Sequence, residues 1–95
     1  MREKAIEHAL VMATRSKGGI ALKFTSPGFA GMPDRLVLLP HGRMGFVELK
    51  APGRKPRPLQ LARHRLLRRL GFKVYVIDDT RQIAMVLKEI GGDAL

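Results

Sequence analysis

Two apolar runs separated by a tight turn limit the folds open to this chain more than any other feature of its sequence. Residues 34–39 are rich in Leu and Val and end at Pro40, and residues 44–50 form a second run beyond His41 and Gly42. Apolar runs of this length, joined by a turn that contains Pro and Gly, are typical of a β-hairpin. The middle of the chain is therefore predicted to form two paired strands.

Helices and short strands are predicted on both sides of this hairpin. Apolar residues at helical spacing predict a helix over residues 2–15, and alternation of apolar and polar residues predicts a strand over residues 20–24. Behind the hairpin, residues 51–58 contain three prolines, one glycine and three cations. Such a composition predicts a stiff, exposed and basic connector.

A second helix is predicted beyond the connector, and Gly71 is placed to end it. Its apolar stripe is expected to consist of Leu59, Ala62, Leu66, Leu67 and Leu70. A strand over residues 74–77 follows, and Asp79 or Thr80 is expected to cap a last helix that runs to Ile90. The order αβββαβα predicts an α/β fold with a central mixed β-sheet flanked by helices, in one domain over residues 1–95.

The charge balance indicates a polyanionic partner. Eighteen Lys and Arg against eight Asp and Glu give a net charge of +10, which favours nucleic acid but also fits a ribosome-type binder or a merely solvated basic surface. The absence of Cys excludes disulfides, thiolate nucleophiles and cysteine-ligated zinc. With no apolar signal segment and no membrane-spanning run, a soluble cytoplasmic protein is expected. A chain this short has a thin core, so we expect a homodimer.

Two acids and a lysine are expected to meet on one face of the hairpin. Glu48 and Lys50 occupy alternate positions of a strand, so their side chains leave the same face while Leu49 points into the core. Asp34 opens the partner strand and can lie across from Glu48. A pair of carboxylates binds a hard cation such as Mg²⁺, and Lys50 beside it can orient or help deprotonate an attacking water.

Each of these residues also has an ordinary explanation. Glu48 and Lys50 alone fit a surface ion pair, and Asp34 after Pro33 fits a turn. Acids that flank buried apolar runs are unusual without a function, because burial of a charge is costly. The combination of the three therefore favours a metal-assisted hydrolytic site.

These residues resemble the signature of the VRR-NUC domain, a virus-type replication and repair branch of the PD-(D/E)xK nucleases. The matching segments are Gly31-Met32-Pro33-Asp34, Glu48-Leu49-Lys50 and Gln60. The resemblance extends from Glu7 to Ile77 and implies a restriction-endonuclease-like core. It also implies hydrolysis of phosphodiester bonds.

The resemblance implies a role for each matching residue. Asp34 and Glu48 are expected to ligate Mg²⁺ or Mn²⁺, with the backbone carbonyl of Leu49 as a further ligand. Lys50 is expected to be the catalytic lysine. Gln60 is similar to the family's glutamine that faces the site.

An acid on the first helix is also implied near the metal. Glu7 fits this role, and Glu3 competes for it. For Gln60 and for Glu7, a solvent-facing position on a helix is an equally acceptable explanation.

The resemblance further implies a DNA substrate. Stand-alone viral members are similar to structure-specific endonucleases that cut four-way (Holliday) junctions as symmetric dimers, which suggests a virus-encoded protein acting inside a host cell. Sequence-independent contacts to phosphates are expected from Arg54, Lys55, Arg57, Arg63, Arg65, Arg68, Arg69, Lys17, Lys23 and Arg35. Two alternatives stay open: a non-catalytic nucleic-acid-binding module of the same fold, and a restriction-type, toxin or less structure-selective nuclease.

The aromatic and histidine side chains are assigned to structural positions. The core is expected to contain Phe24, Phe46 and Tyr75, which leaves little aromatic surface for base stacking. The surface is expected to hold the three histidines, which lack zinc-ligand spacing: His8, His41 and His64.

Overall fold

The computed structural model describes residues 1–92 as a four-stranded sheet packed between helices. The elements in chain order are α1 (Glu3–Ser16), β1 (Ile20–Lys23), β2 (Arg35–Leu39), β3 (Arg43–Leu49), α2 (Pro58–Arg69), β4 (Val74–Ile77) and α3 (Ile83–Gly91). This order confirms the predicted αβββαβα sequence of elements, with slightly shifted bounds. The last three residues of the predicted domain lie outside the described residues. None of the helices within residues 1–92 has the length and apolarity needed to span a bilayer.

The sheet is mixed, as predicted, with the strands in the order β1-β2-β3-β4. The first two pairings are antiparallel, and β3 pairs with β4 in parallel. The hairpin turn uses His41 at φ 68° and Gly42 at φ 71°, the left-handed conformation that tight hairpins require. Arg35 pairs with Val47, so the same register continued by one position sets Asp34 opposite Glu48.

One face of the sheet is covered by α1 and α3. Val37, Leu49 and Ile77 point to this side and pack with Ile6 and other buried residues of the two helices. The close approach of α3 depends on a glycine in β3: a Cβ at Gly45 would lie 2.8 Å from Ile90 Cγ1. This face carries most of the apolar core.

The opposite face is covered only in part, by α2. Phe46 packs there with Leu67, and the rings of Phe24 and Phe72 meet the Phe46 ring edge-on. The predicted core position is thus confirmed for Phe46, while Phe24 and Tyr75 are partly buried. Strand β1 lies beyond the reach of α2 and leaves two apolar side chains on this side, Ile20 at 48% and Leu22 at 40% exposure.

Helix α2 turns a different side to the sheet from the predicted apolar stripe. Its buried residues are Gln60, His64 and Leu67, whereas Leu59 and Leu70 are 46% and 64% exposed. The predicted stripe was therefore wrong at Leu59 and Leu70 and is confirmed at Leu67. The helix turns polar residues inward because the sheet beneath α2 presents Glu48, which requires polar partners. The predicted helix end is confirmed, with Gly71 at φ 97° after the last turn.

Candidate active site

A cleft of about 660 Å³ opens where the hairpin meets the connector and the first turn of α2. It contains the two predicted acids, the lysine and the glutamine. Its lining residues are Glu3, Asp34, Glu48, Leu49, Lys50, Ala51, Arg54, Lys55, Arg57 and Gln60. Asp34, Glu48, Lys50 and Gln60 thus share one cavity.

Glu48 lies at the floor of this cleft. Its side chain is only 1% exposed, and it leaves the sheet on the α2 side while Leu49 enters the core on the other side. Gln60 Nε2 donates a hydrogen bond of 3.0 Å to Glu48 Oε2, and Lys50 Nζ lies 3.6 Å from the same oxygen. The alternation of β3 therefore brings Glu48 and Lys50 together as predicted.

Asp34 is held beside Glu48 by the backbone. The N–H of Leu49 donates a hydrogen bond of 2.8 Å to Asp34 Oδ2, and the N–H of Phe24 donates one of 2.9 Å to the carbonyl of Asp34. One bond orients the carboxylate and the other ties its backbone to the end of β1. These two bonds fix the direction in which Asp34 faces the cleft.

The loop before Asp34 depends on a glycine. Gly31 has φ +89°, and a Cβ there would lie 2.8 Å from Leu59 Cγ and 3.1 Å from Arg63 Cγ. Only glycine adopts this conformation readily and also lets the loop approach α2 so closely. The first residue of the motif thus sets the path of the chain into Asp34.

The two carboxylates repel each other. The pKa of Glu48 is raised to about 7, mainly by burial and then by charge repulsion from Asp34 and a hydrogen bond between the two carboxyl groups, while Lys50 opposes the shift. At neutral pH the site therefore carries a carboxylate whose ionisation is disfavoured. A bound divalent cation would relieve that repulsion.

The donor set fits a hard cation. Within residues 1–92, no group of three or more His, Cys, Asp or Glu side chains is arranged to enclose a metal ion. Two carboxylates, a backbone oxygen and water are the partial, oxygen-only set that suits Mg²⁺ or Mn²⁺. Glu48 Oε1 is buried without a hydrogen-bond partner, which leaves a donor oxygen available for such an ion. The carbonyl of Leu49 stays a predicted ligand.

Gln60 joins the helix to the acid. Its Oε1 accepts a hydrogen bond of 2.8 Å from the N–H of Arg57, the residue that caps α2, and its Nε2 donates to Glu48. One amide thus satisfies an unpaired backbone donor of the helix N-terminus and a buried carboxylate oxygen at once. Gln60 faces the site, as the motif implied, and is not solvent-facing.

Of the two candidate acids on α1, Glu3 lines the cleft, whereas Glu7 lies outside its lining and pairs with Arg35. Glu7 Oε2 lies 2.9 Å from Arg35 Nη2 and accepts a hydrogen bond of 3.0 Å from Arg35 Nε. Arg35 also donates 3.0 Å to the carbonyl of Ala21. Strand β2 turns Arg35 to the α1 side, where its guanidinium is engaged by Glu7 and by the carbonyl of Ala21.

The remaining predicted DNA-binding cations fall into three groups. Arg54, Lys55 and Arg57 line the cleft. Two others are engaged with the protein: Arg63 donates 2.8 Å to the carbonyl of Ala30 and covers a phenylalanine ring, and Arg68 donates 2.8 Å to a carbonyl of β4. The third group is exposed and lies outside the cleft lining: Arg65, Arg69, Lys17 and Lys23.

His64 was predicted at the surface, and this prediction was wrong. The side chain is 1% exposed and its Nε2 lies 3.5 Å from Glu48 Oε1. Burial, followed by the nearby charge of Arg68, lowers the pKa of His64, although Asp34 acts in the opposite direction. One sequence signal was available, since His64 follows Gln60 by one helical turn and shares its face. His8 and His41 are exposed, as predicted.

The chain is similar to known proteins in both sequence and structure. No protein-family model matches it. It is 56% identical over 78 residues to "Putative nuclease p44" of Acyrthosiphon pisum secondary endosymbiont phage 1, an alignment that covers 82% of this chain and 84% of the relative. A solved structure described as a VRR_NUC domain superposes with a TM-score of 0.84 at 30% identity, covering 93% of this chain and 97% of that one. The chain belongs to the VRR-NUC family of nuclease domains.

Proposed function

We propose that this protein is a metal-dependent endodeoxyribonuclease that hydrolyses phosphodiester bonds in the cleft. The observation that carries the proposal is the buried Glu48, which faces Asp34 and Lys50 and whose pKa is raised to about 7. A buried acid that repels a second acid is unfavourable for folding, so its presence in an open, cationic cleft favours a catalytic role.

The roles of the residues follow from their positions. Asp34 and Glu48 would hold Mg²⁺ or Mn²⁺, with the Leu49 carbonyl as a further ligand. When bound, such an ion would act as a Lewis acid toward the scissile phosphate. Lys50, whose Nζ is 3.6 Å from Glu48 Oε2, can orient the attacking water and stabilise negative charge that develops on the phosphate.

Glu3 is the acid that we assign to the family's helix-borne position. It lines the cleft from the first turn of α1, where Glu7 does not reach. From there its carboxylate can hold a water in the cleft or complete the surroundings of the cation. Gln60 keeps Glu48 oriented through its 3.0 Å hydrogen bond.

The DNA backbone would follow the basic connector. Arg54, Lys55 and Arg57 lie on the rim of the same cleft that holds the acids. Contacts between these cations and phosphates would place a backbone over Glu48 without reading its sequence. This arrangement suits a substrate recognised by shape.

A four-way junction cut by a homodimer is the specific substrate and assembly that we propose. One chain offers one such cleft, so paired cuts in two strands require two copies. Ile20 and Leu22, together with the 40% exposed Phe72, leave apolar surface on the α2 side of the sheet. This surface, defined by Ile20, Leu22 and Phe72, is the one that we assign to the dimer contact.

The proposal is tested by comparing cleavage of a labelled four-way junction and a linear duplex. Reactions contain Mg²⁺, Mn²⁺ or a chelator, and the parent is compared with Glu48→Gln. We expect paired, metal-dependent cuts confined to the junction, and loss of cleavage in the variant. Because Glu48→Gln leaves the basic rim unchanged, its affinity for the junction in a chelator should stay close to that of the parent.

Glu89→Gln supplies the matched control, since it removes the same charge from the exposed side of α3. It should cut like the parent. Binding of the junction without a cut under any metal would indicate a non-catalytic binding module. Equal cutting of the duplex and the junction would retain a nuclease but remove the proposed junction specificity.

A further inference from the structure

A buried histidine and a buried glutamine flank the two oxygens of Glu48. Gln60 and His64 are one turn apart on the inward side of α2. Gln60 Nε2 donates to Glu48 Oε2 at 3.0 Å, and His64 Nε2 lies 3.5 Å from Glu48 Oε1. One helix thus directs one nitrogen toward each oxygen of the same carboxylate.

The atoms around this contact are unusual in lacking partners. Within residues 1–92, the buried side-chain nitrogen and oxygen atoms without a hydrogen bond are Glu48 Oε1 and the two ring nitrogens of His64. Buried polar atoms are nearly always paired, and an apolar residue at position 64 would pack on the sheet without this cost. The imidazole is therefore retained here for a reason other than packing.

We propose that His64 is a positioning residue that donates its Nε2–H to Glu48 Oε1. The inference rests on the proposed function, because it assigns His64 to the acid that holds the cation. A contraction of a few tenths of an ångström converts the 3.5 Å contact into a hydrogen bond. Gln60 and His64 together then hold the carboxylate in one orientation, which lowers the cost of presenting it to a cation.

Two substitutions at position 64 distinguish hydrogen-bond donation by His64 from a role in packing alone. His64→Gln keeps an N–H donor at the end of a side chain of similar reach. His64→Met has a similar length and fills similar space but carries no donor. A role in packing alone would affect both variants similarly, whereas a role in donation would affect only His64→Met.

The test is a calorimetric titration of Mn²⁺ into each metal-free protein at pH 8 without DNA, with thermal melting in a chelator alongside. Partners of metal ligands typically change affinity by about 10–100-fold when removed. We expect His64→Met to bind Mn²⁺ ~10-fold or more weakly than the parent, and His64→Gln to bind within ~3-fold of it. Equal affinities in all three proteins, or equal losses in both variants, would overturn the proposal.

A measurement on the parent alone tests the proposal even if one of the variants does not fold. Nitrogen NMR of histidine-labelled protein at pH 8 identifies which ring nitrogen of His64 carries the proton. The proposal requires the proton on Nε2, and a proton on Nδ1 would overturn it. A parent that binds no Mn²⁺ would refute the proposed metal-dependent function itself, whereas a parent that binds while His64→Met binds equally well refutes only the role of His64.

Discussion

Asp34 Oδ2 accepts a hydrogen bond of 2.8 Å from the backbone N–H of Leu49, the residue between Glu48 and Lys50. This bond spans the two strands of the hairpin at the cleft. It joins the two parts of the motif physically, because any shift of β2 against β3 would move the two acids apart. The relative position of Asp34 and Glu48 is therefore set by the sheet and not by a flexible loop.

The bond from Leu49 allows the structural and catalytic roles of Asp34 to be separated. Asp34→Asn keeps an oxygen that can accept this bond and also removes the repulsion with Glu48, so the free energy of unfolding should not fall below that of the parent. Asp34→Ala removes the repulsion and the acceptor, so its free energy of unfolding should be about 1–2 kcal/mol lower than that of Asp34→Asn. Both variants should lose metal-dependent cleavage. Urea unfolding and the junction assay measure the two effects, and cleavage by Asp34→Asn at the parental rate would contradict the assigned metal ligand.

The raised pKa of Glu48 makes stability depend on pH in a defined direction. The folded protein holds a proton at Glu48 up to about pH 7, whereas the group's ordinary value is 4.5. Between these values the folded state binds more protons than the unfolded state, so this group's contribution to stability is complete at low pH and is lost as the pH rises toward 7. Removal of the charge should therefore stabilise the metal-free protein above pH 7.

Thermal melting in a chelator tests this dependence. The melting temperature of Glu48→Gln should exceed that of the parent at pH 8 by ~5 °C or more, and the difference should shrink at pH 5. Glu89→Gln is the control, and it should not reproduce the gain in melting temperature at pH 8. Mg²⁺ should raise the melting temperature of the parent at pH 8 but not that of Glu48→Gln. A difference for Glu48→Gln that is independent of pH would contradict the raised pKa.

Much of this site could be predicted from local patterns. Alternation along β3 places Glu48 and Lys50 on one face, and the hairpin register places Asp34 opposite Glu48. Both relations involve neighbours in sequence or across one tight turn. The fold and the positions of the two acids could therefore be predicted without knowing how the helices pack.

The errors fell on relations between distant elements. Hydropathy assigned the apolar stripe of α2 through Leu59 and Leu70, but the helix turns Gln60 and His64 inward because Glu48 lies beneath it. This choice depends on a polar group on another element, which the pattern of α2 alone does not contain. The choice between Glu3 and Glu7 depended on such a relation too, because Arg35, the partner of Glu7, belongs to a strand far along the chain.

Substitution by Gln should have different effects on cleavage and stability at Glu3 and at Glu7. Glu3→Gln removes a carboxylate from the cleft and should lower cleavage ~10-fold or more with an unchanged free energy of unfolding. Glu7→Gln weakens the ion pair with Arg35, whose side chain is 13% exposed, and should destabilise the protein by up to about 1 kcal/mol with near-parental cleavage. Urea unfolding and cleavage rates distinguish them. The reverse pattern would restore Glu7 as the helix-borne acid.

Gly31 should be far less tolerant of substitution than a glycine in the same loop. Gly31→Ala places a Cβ 2.8 Å from Leu59 Cγ at φ +89°, and should cost about 1–3 kcal/mol and displace the chain that leads to Asp34. Gly28→Ala is the matched control, because nothing lies within 4 Å of its Cβ. Unfolding in urea and cleavage should both be impaired for Gly31→Ala only. Equal stability of the two variants would show that the loop relaxes without cost.

The connector cations should determine how strongly DNA binding depends on salt. Each phosphate contact contributes about −0.9 to the slope of log affinity against log salt concentration, so Arg54→Gln with Lys55→Gln should reduce the steepness of that slope by about 2. The control combines Arg15→Gln and Lys88→Gln, which remove the same charge from the far end of α1 and from α3. The slope is measured for binding of a junction in the presence of a chelator. If only the Arg54 and Lys55 pair of substitutions changes it, the DNA backbone follows the connector. Equal changes for both pairs would mean that DNA binds to the net charge of +10 without preferring one face of the protein. The connector would then not direct a phosphate toward Glu48.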